Sequence, residues 1–284
     1  MISYFQAIVI GLLQGVTELM PISSLGHSVL LPSLLGWDGL VHAESADESF
    51  YLAFLVALHV ATALALLVHY RATWVRIVKG FFTSVRARRV SNADEALAWL
   101  LVVGTIPVGL TGLVFEHALR TVFAKPAAAA VFLMVNGVIL LGGERLRRRS
   151  VAGVAGKQIA DLTPRDAGII GVAQTGALFA GVSRSGITMV GGLLRGLDHE
   201  DAARFSFLLA TPVILAAGVY KLPDLTGPLG DGVRGQAAAG AVAAFIAAYF
   251  CVRFLERYFE NRNLTPFAVY CLVVGALSLV HLAI

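Results

Sequence analysis

The chain has 284 residues, of which 57% are hydrophobic and only 14% are charged. Soluble domains carry about 25% charged residues, so this chain lacks the polar surface that a globular protein in water needs. The net charge is +4, and the basic residues gather in a few short loops, which is typical of membrane topology and not of nucleic-acid binding. Cys251 and Cys271 fall in apolar segments, with no spacing that suggests a disulfide framework or a zinc site. Composition therefore predicts one all-α integral membrane domain, residues 1–284.

The first apolar region covers residues 4–20 and resumes at 24–36. It is interrupted by the sequence Pro21-Ile22-Ser23-Ser24-Leu25-Gly26. Its start lacks a basic segment and a small-residue cleavage site, so we expect mature structure and no removed signal peptide. The second piece is too short to cross a bilayer at about 1.5 Å per residue. We therefore predict a re-entrant helical hairpin, which dips into the membrane and returns to the same side.

Six further segments are apolar and long enough to span a membrane. They cover about 50–70, 96–115, 127–144, 203–220, 235–253 and 264–284. Between the third and fourth lies a second broken region, 167–180 followed by 186–197, which predicts a second re-entrant hairpin. The basic loops 71–94, 145–166 and 253–263 are expected in the cytoplasm. The loops 37–49, 116–126 and 221–234 and both termini are then expected outside.

The two broken regions match each other at an offset of 160 residues. The identical pairs are Gly11/Gly171, Gln14/Gln174, Ser23/Ser183, Gly26/Gly186, Leu34/Leu194, Gly36/Gly196 and Asp38/Asp198. Because three spans separate the two regions, the second must enter the membrane from the opposite face. We predict an inverted-topology repeat, with repeat 1 over about 1–145 and repeat 2 over about 160–284, and polar sites near the midplane.

Polar and ionisable side chains concentrate at the two interruptions. These are Gln14, Glu18, Ser23, Ser24 and His27 in the first, and Gly181, Ser183, Arg184, Ser185 and Thr188 in the second. A charged group at the bilayer centre costs at least ~3 kcal/mol, so Glu18, His27 and Arg184 are expected to line a functional cavity. A helix start beside an arginine and hydroxyl groups suits a phosphate.

Structural interpretations of the same residues stay open at this stage. Glu18 and Arg184 could form an ion pair that merely joins the hairpins, and small residues could only permit close helix packing. Gln14 and Gln174 could simply link helices by hydrogen bonds. We interpret three further polar residues within apolar segments as packing or interface residues: His59, His69 and Asn136.

Two long motifs carry a resemblance to a known family. They are Gln14-x-x-x-Glu18 followed by Pro21-Ile22-Ser23-Ser24-Leu25-Gly26-His27, and Gly181-Val182-Ser183-Arg184-Ser185-Gly186-Ile187-Thr188. In this order they are similar to the undecaprenyl-pyrophosphate phosphatase family of the bacitracin-resistance type, over nearly the whole chain. Two positions depart from the family pattern: Ala180 stands where the family has Pro, and Gln14 takes the non-acidic option.

The resemblance implies hydrolysis of undecaprenyl pyrophosphate to undecaprenyl phosphate and inorganic phosphate. This recycles the lipid carrier for peptidoglycan synthesis and confers bacitracin resistance. It also implies a bacterial inner-membrane protein whose active site opens to the extracytoplasmic side. The expected partners are the prenyl pyrophosphate and the bilayer, without nucleic acid, and a homodimer is left open.

The expected catalytic residues are Glu18, Ser24, His27 and Arg184. Ser24 would attack as nucleophile with His27 as base, while Glu18 orients His27 or shuttles protons. Alternatively, water would attack directly, activated by Glu18 or His27. The expected substrate-binding residues are Gln14, Ser23, Gly181, Ser183, Ser185 and Thr188. One carboxylate does not predict a metal site, although Mg²⁺ or Ca²⁺ bound to the pyrophosphate is compatible with the chemistry.

An inverted repeat with re-entrant hairpins also suits a secondary transporter or a lipid flippase. Fold alone does not separate these functions from a phosphatase. The density of phosphate-transfer residue types at the two interruptions favours the phosphatase.

Overall fold

The structure, a computed structural model, is α-helical over most of the part of the chain that it describes, with two short 3₁₀ helices, Ile159–Asp161 and Thr175–Leu178. It describes residues 2–37, 39–40, 50–123, 125–150, 156–221, 227 and 231–283, without the side chains of 116–123, 149–150 and 221. The helices are α1 Tyr4–Thr17, α2 Ser24–Leu34, α3 Phe50–His69, α4 Arg71–Ala87, α5 Ala93–Phe123, α6 Pro126–Ser150, α7 Pro164–Gln174, α8 Arg184–Leu194, α9 His199–Lys221, α10 Arg234–Asn261 and α11 Thr265–Ala283.

Six of the described helices are long and apolar enough to cross a membrane: α3, α5, α6, α9, α10 and α11. They coincide with the six predicted spans, and the protein is an all-α, multi-pass membrane protein. Helices α3 and α9 are the most buried of the six and pack against each other. The surrounding helices expose large apolar side chains such as Leu113 and Phe250, as lipid contact requires.

The prediction that residues 71–94 form a loop is wrong, because most of this segment forms helix α4. The helix packs against α5 and exposes an apolar stripe of Val75, Val78, Phe82 and Val85. Basic residues flank the stripe: Arg71, Arg76, Lys79 and Arg86. This pattern is typical of a helix that lies in the membrane–water interface, and loop composition alone does not reveal it.

Several other predicted loops are shorter than expected. Helix α6 continues through Ser150 and α10 through Asn261, so the charged ends of these helices extend beyond the apolar spans. Long basic side chains permit this because they reach the headgroup region while their stems stay apolar. The predicted loops 37–49 and 221–234 lie largely outside the described residues, as does Asp38 of the repeat alignment.

The two broken regions fold alike. Helices α2 and α8 each have 11 residues, and a serine precedes each of them. Ser23 Oγ accepts from the Gly26 N–H at 3.2 Å, and Ser183 Oγ accepts from the Gly186 N–H at 3.1 Å. Such caps satisfy backbone donors that would otherwise be unpaired within the membrane. The re-entrant course of these helices and the inverted repeat stay predictions.

Close backbone contacts hold the broken regions in place. Gly11 of α1 lies directly against the backbone of Gly240 in α10, and Gly171 of α7 lies against Gly104 of α5. Side chains at these positions would strike backbone, which is why small residues occur there. The two interruptions also touch, since a Cβ on Gly26 would lie 2.9 Å from the Gly181 Cα. Both interruptions therefore meet in the interior of the helix bundle.

Candidate active site

Glu18 is the centre of the polar cluster at this meeting point. It follows the last turn of α1, where its N–H donates to the Gln14 carbonyl at 3.0 Å, and it is buried. Its Oε2 accepts from Ser24 Oγ at 2.5 Å and from Gln14 Nε2 at 3.2 Å. Its Oε1 accepts from Arg184 NH2 at 3.1 Å. The carboxylate thus joins residues from both interruptions, as the sequence analysis expected for Glu18 and Arg184.

Arg184 is the first residue of α8, and its guanidinium is held from two sides. NH2 forms an ion pair with Glu18, while NH1 donates to the Ser206 carbonyl on α9 at 3.1 Å. Its side chain retains 12% exposure. A planar guanidinium fixed in this way is oriented before any ligand arrives, and it matches the geometry of phosphate oxygens.

Ser24 is the first residue of α2 and is buried beside Glu18. Because its hydroxyl donates to a carboxylate, the proton already points to a base. The preceding residue, Ser23, has φ 70° and ψ 100°, a region that side chains rarely occupy. Such strain costs about 1–3 kcal/mol, and here it turns the chain so that α2 starts at the carboxylate.

His27 does not occupy the place that the sequence analysis expected. Its Nδ1 lies 2.7 Å from the Ser23 carbonyl and its Nε2 lies 2.8 Å from the Tyr270 hydroxyl. Both ring nitrogens therefore have partners other than the Ser24 hydroxyl, which bonds to Glu18 instead. The spacing of three residues correctly placed Ser24 and His27 on one helix, but it did not reveal which partner each side chain finds.

His59 was interpreted as a packing or interface residue, but the structure places it against the Glu18 carboxylate. It lies on α3, where its Nε2 is 3.2 Å from Glu18 Oε2 and its Nδ1 is 2.8 Å from the Leu55 carbonyl. The signal that could have found it is an ionisable side chain in the middle of an apolar span, which usually faces a polar interior.

The hydroxyl groups of the second interruption mostly stabilise its own backbone. Ser183 Oγ caps α8 and lies 3.0 Å from Ser185 Oγ, which also donates to the Met20 carbonyl at 3.1 Å. Thr188 Oγ1 lies 2.7 Å from the Arg184 carbonyl and 2.6 Å from Ser206 Oγ. The structure thus brings all of these residues close to Arg184, with their hydroxyls engaged inside the protein.

Asn136 of α6 links the two interruptions by hydrogen bonds, in agreement with its interpretation as a packing or interface residue. Its Nδ2 donates to the Pro21 carbonyl at 2.9 Å, and its Oδ1 accepts from the Ser183 N–H at 3.0 Å. Gly181 packs tightly against the backbone of the same helix at Ala129, with φ 109°. Since Gly26 also contacts Gly181, α6 sets the distance between the α2 and α8 starts.

Gln14 and Gln174 differ in their surroundings although they occupy matching positions. Gln14 Nε2 donates to Glu18, whereas Gln174 Nε2 donates to the Gly104 carbonyl at 3.4 Å. Among the described residues, the Oε1 atom of each has no hydrogen-bond partner. Gln14 therefore belongs to the polar cluster, and Gln174 serves as a link between α7 and α5.

The donor set does not fit a protein-held metal ion. Within the described ranges, no group of three or more His, Cys, Asp and Glu side chains could hold one. Glu18 is the carboxylate at the site, and it is already engaged by Arg184 and His59. Hard divalent cations prefer several oxygen ligands, commonly from more than one carboxylate, and among the described residues this cluster has the single carboxylate of Glu18.

Comparisons with known proteins agree with the motifs. The family model described as "Bacitracin resistance protein BacA" matches residues 7–277. The chain is 57% identical to an undecaprenyl-diphosphatase of Mycolicibacterium paratuberculosis, covering 100% of this chain and 98% of that protein. It is 52% identical to undecaprenyl-diphosphatase 2 of Frankia alni (100% and 99% covered) and 46% identical to undecaprenyl-diphosphatase 2 of Burkholderia ambifaria (95% and 94%). The chain therefore belongs to the bacitracin resistance protein BacA family.

Proposed function

We propose that the protein is an undecaprenyl-diphosphatase, which hydrolyses undecaprenyl pyrophosphate to undecaprenyl phosphate and inorganic phosphate. This returns the lipid carrier to peptidoglycan synthesis and confers bacitracin resistance. The observation that supports it most directly is the junction of Ser24, Glu18 and Arg184 at the starts of helices α2 and α8. A nucleophile, a base and a phosphate-binding cation are the groups that phosphoryl transfer needs.

In the proposed first step, the pyrophosphate takes the place of Glu18 on the Arg184 guanidinium. The freed carboxylate accepts the Ser24 proton while Ser24 Oγ forms a bond to the terminal phosphorus. The bridging P–O bond breaks, and undecaprenyl phosphate leaves with the proton from Glu18. Arg184 and the positive ends of the α2 and α8 dipoles stabilise the charge on the transferring group.

In the second step, water attacks the phosphorus of phospho-Ser24. Glu18 accepts the proton of the water and returns it to Ser24 Oγ as the P–Oγ bond breaks and inorganic phosphate leaves. Direct attack by water on the pyrophosphate, with Glu18 as base, is the alternative route and needs the same residues except the Ser24 hydroxyl. A divalent cation would come with the pyrophosphate, because the described residues include no group of three or more His, Cys, Asp and Glu side chains that could hold one.

The remaining predictions belong to the same proposal. The protein lies in the bacterial inner membrane as an inverted repeat of about 1–145 and about 160–284, and its site opens to the extracytoplasmic side. The matching caps of α2 and α8 and the paired glycine contacts of α1 and α7 support the repeat. An apolar groove of about 510 Å³ between α5 and α7 lies away from the site residues, so it does not identify the place of the prenyl tail.

The structural alternative, in which Glu18 and Arg184 only join the hairpins, makes a different prediction. Glu18→Gln keeps the shape of the side chain and an acceptor for Arg184, so a purely structural pair predicts near-normal activity in protein that folds. The proposed mechanism predicts severe impairment, because the amide cannot accept the Ser24 proton.

The decisive experiment is release of phosphate from a prenyl pyrophosphate by the purified protein in detergent. Detergent removes any transmembrane gradient, so a transporter or a flippase would release no phosphate. We expect steady release by the wild type. Its absence would exclude the phosphatase and leave the transport function.

A further inference from the structure

The contact between His59 and Glu18 specifies where a proton must lie. The Leu55 carbonyl can only accept a hydrogen bond, so the His59 Nδ1 at 2.8 Å carries a hydrogen. In a neutral imidazole the other nitrogen, Nε2, would then present a lone pair to Glu18 Oε2 at 3.2 Å. Two acceptors at this distance repel each other, and a proton between them converts the contact into a charge-assisted hydrogen bond.

The other contacts of Glu18 decide which partner holds that proton. Arg184 NH2 donates to Oε1, and Ser24 Oγ and Gln14 Nε2 donate to Oε2. A carboxylate that accepts this many donors is favoured in its ionised form. The charged groups that act on His59 are Glu18 from the α1 side and Arg184 from the α8 side.

We propose that His59 is an imidazolium that positions Glu18 for proton transfer from Ser24, an inference that rests on the proposed phosphatase function. The Leu55 carbonyl orients the ring, and Nε2–H holds Oε2 facing the Ser24 hydroxyl. Arg184, His59 and Glu18 together then carry one net positive charge, which favours the entry of an anionic pyrophosphate. His59 does not touch the reacting phosphate; it acts through the carboxylate.

The variants that test this role differ in what they leave at Oε2. His59→Gln keeps an N–H donor but cannot gain or lose a proton near neutral pH, whereas His59→Leu removes the donor. His69→Gln is the matched control, since His69 lies on the same helix and pairs with Glu256 at 2.7 Å. All of them are assayed as full-length protein in detergent, with thermal unfolding and gel filtration to verify folding.

The expected result is a distinct pH profile for each variant. Wild-type kcat should fall on the alkaline side as His59 loses its proton, and His69→Gln should show the same profile. His59→Gln should lose this fall, and His59→Leu should lower kcat roughly 10- to 100-fold, a typical cost of removing a group that orients a functional ligand. An alkaline fall retained unchanged in His59→Gln, or full activity of His59→Leu, would overturn the proposal.

A spectroscopic readout separates this inference from the phosphatase function. The protein has seven histidines, so ¹⁵N-histidine NMR of the wild type, compared with His59→Gln, identifies the His59 signals. We expect both ring nitrogens to be protonated at neutral pH. A neutral His59 would overturn the inference even in an active enzyme, whereas a protonated His59 without phosphate release would overturn only the proposed function.

Discussion

The turn between α1 and α2 and the turn between α7 and α8 share a backbone frame but carry different chemistry. In both, a serine precedes an 11-residue helix, and its hydroxyl oxygen accepts a hydrogen bond from the N–H of the glycine three residues later. The first helical residue is Ser24 in one and Arg184 in the other. Glu18 and His27 of the first region correspond, at the same offset, to the apolar Leu178 and Ile187.

In the proposed inverted repeat, two turns of matching geometry therefore form an asymmetric site. Both turns need the same frame, because each interruption must satisfy its own backbone donors in the apolar interior of the helix bundle. The side chains at the first helical position are free to diverge once the frame is stable. The first turn supplies a hydroxyl and a carboxylate, and the second supplies a cation, so that neither turn suffices alone.

The largest expected effect on activity comes from removing the Ser24 hydroxyl of the first turn. Ser24→Ala should lower kcat by about 10⁴-fold or more, because removing a nucleophile removes the covalent route. Phosphate release from the prenyl pyrophosphate in detergent measures it. Ser28→Ala, one turn further along α2, is the control, since Ser28 Oγ donates to the Leu25 carbonyl and not to Glu18. Activity of Ser24→Ala within tenfold of wild type would favour direct attack by water.

The second largest effect on activity is expected from removing the Arg184 guanidinium of the second turn. Arg184→Ala should lower kcat by about 10³-fold, comparable to the loss of a charge-stabilising donor in other enzymes. The same assay measures the effect, with folding verified by thermal unfolding. Arg195→Ala is a matched control at the other end of α8, where Arg195 pairs with Asp166. Near-normal turnover of Arg184→Ala would assign the ion pair with Glu18 to structure alone.

The shared frame can be tested by stability instead of activity. Gly181→Ala should lower the free energy of unfolding by at least about 2 kcal/mol, because φ 109° is strained for any side chain and a Cβ would strike the Ala129 backbone. Thermal unfolding in detergent measures it. Gly109→Ala serves as control, since a Cβ there meets open space and should stabilise α5 by up to ~1 kcal/mol. Equal stabilities of the two variants would contradict the tight fit of the second turn.

The sequence predicted more of the frame than of the contacts inside it. Spans, breaks and the clustering of Glu18, Ser24 and Arg184 follow from hydropathy, helix breakers and ionisable groups at depth, all of which are local signals. The partners of His27 and His59 depend on how α2, α3 and α11 pack, because Tyr270 lies 243 residues from His27. Helix α4 was not predicted, because clustered basic residues between two spans are also typical of a cytoplasmic loop.

The smallest expected effect compares the starts of the two matching helices. Helix α1 begins with a capping box of Ser3 and Gln6, and α7 begins with the equivalent box of Thr163 and Asp166. Burial raises the pKa of the Asp166 carboxyl, but hydrogen bonds from the Thr163 N–H and hydroxyl and from Arg195 outweigh it, and the pKa lies below the usual 3.8. Its stabilising contribution is therefore present above pH 3.8 and is lost as the pH falls through the folded-state value.

Asp166→Asn should accordingly lower the free energy of unfolding by about 1 kcal/mol at neutral pH. This gap, the difference in free energy of unfolding between the variant and the wild type, should narrow as the pH falls. Gln6→Ala in the first box removes an uncharged partner, so its gap from wild type should be independent of pH. Thermal unfolding at a series of pH values measures both. A gap for Asp166→Asn that stays constant, or one for Gln6→Ala that narrows in the same way, would show that the two boxes do not differ in charge as the structure indicates. The two helix starts would then share their energetics as well as their geometry, and the difference between the two regions would be confined to the turns.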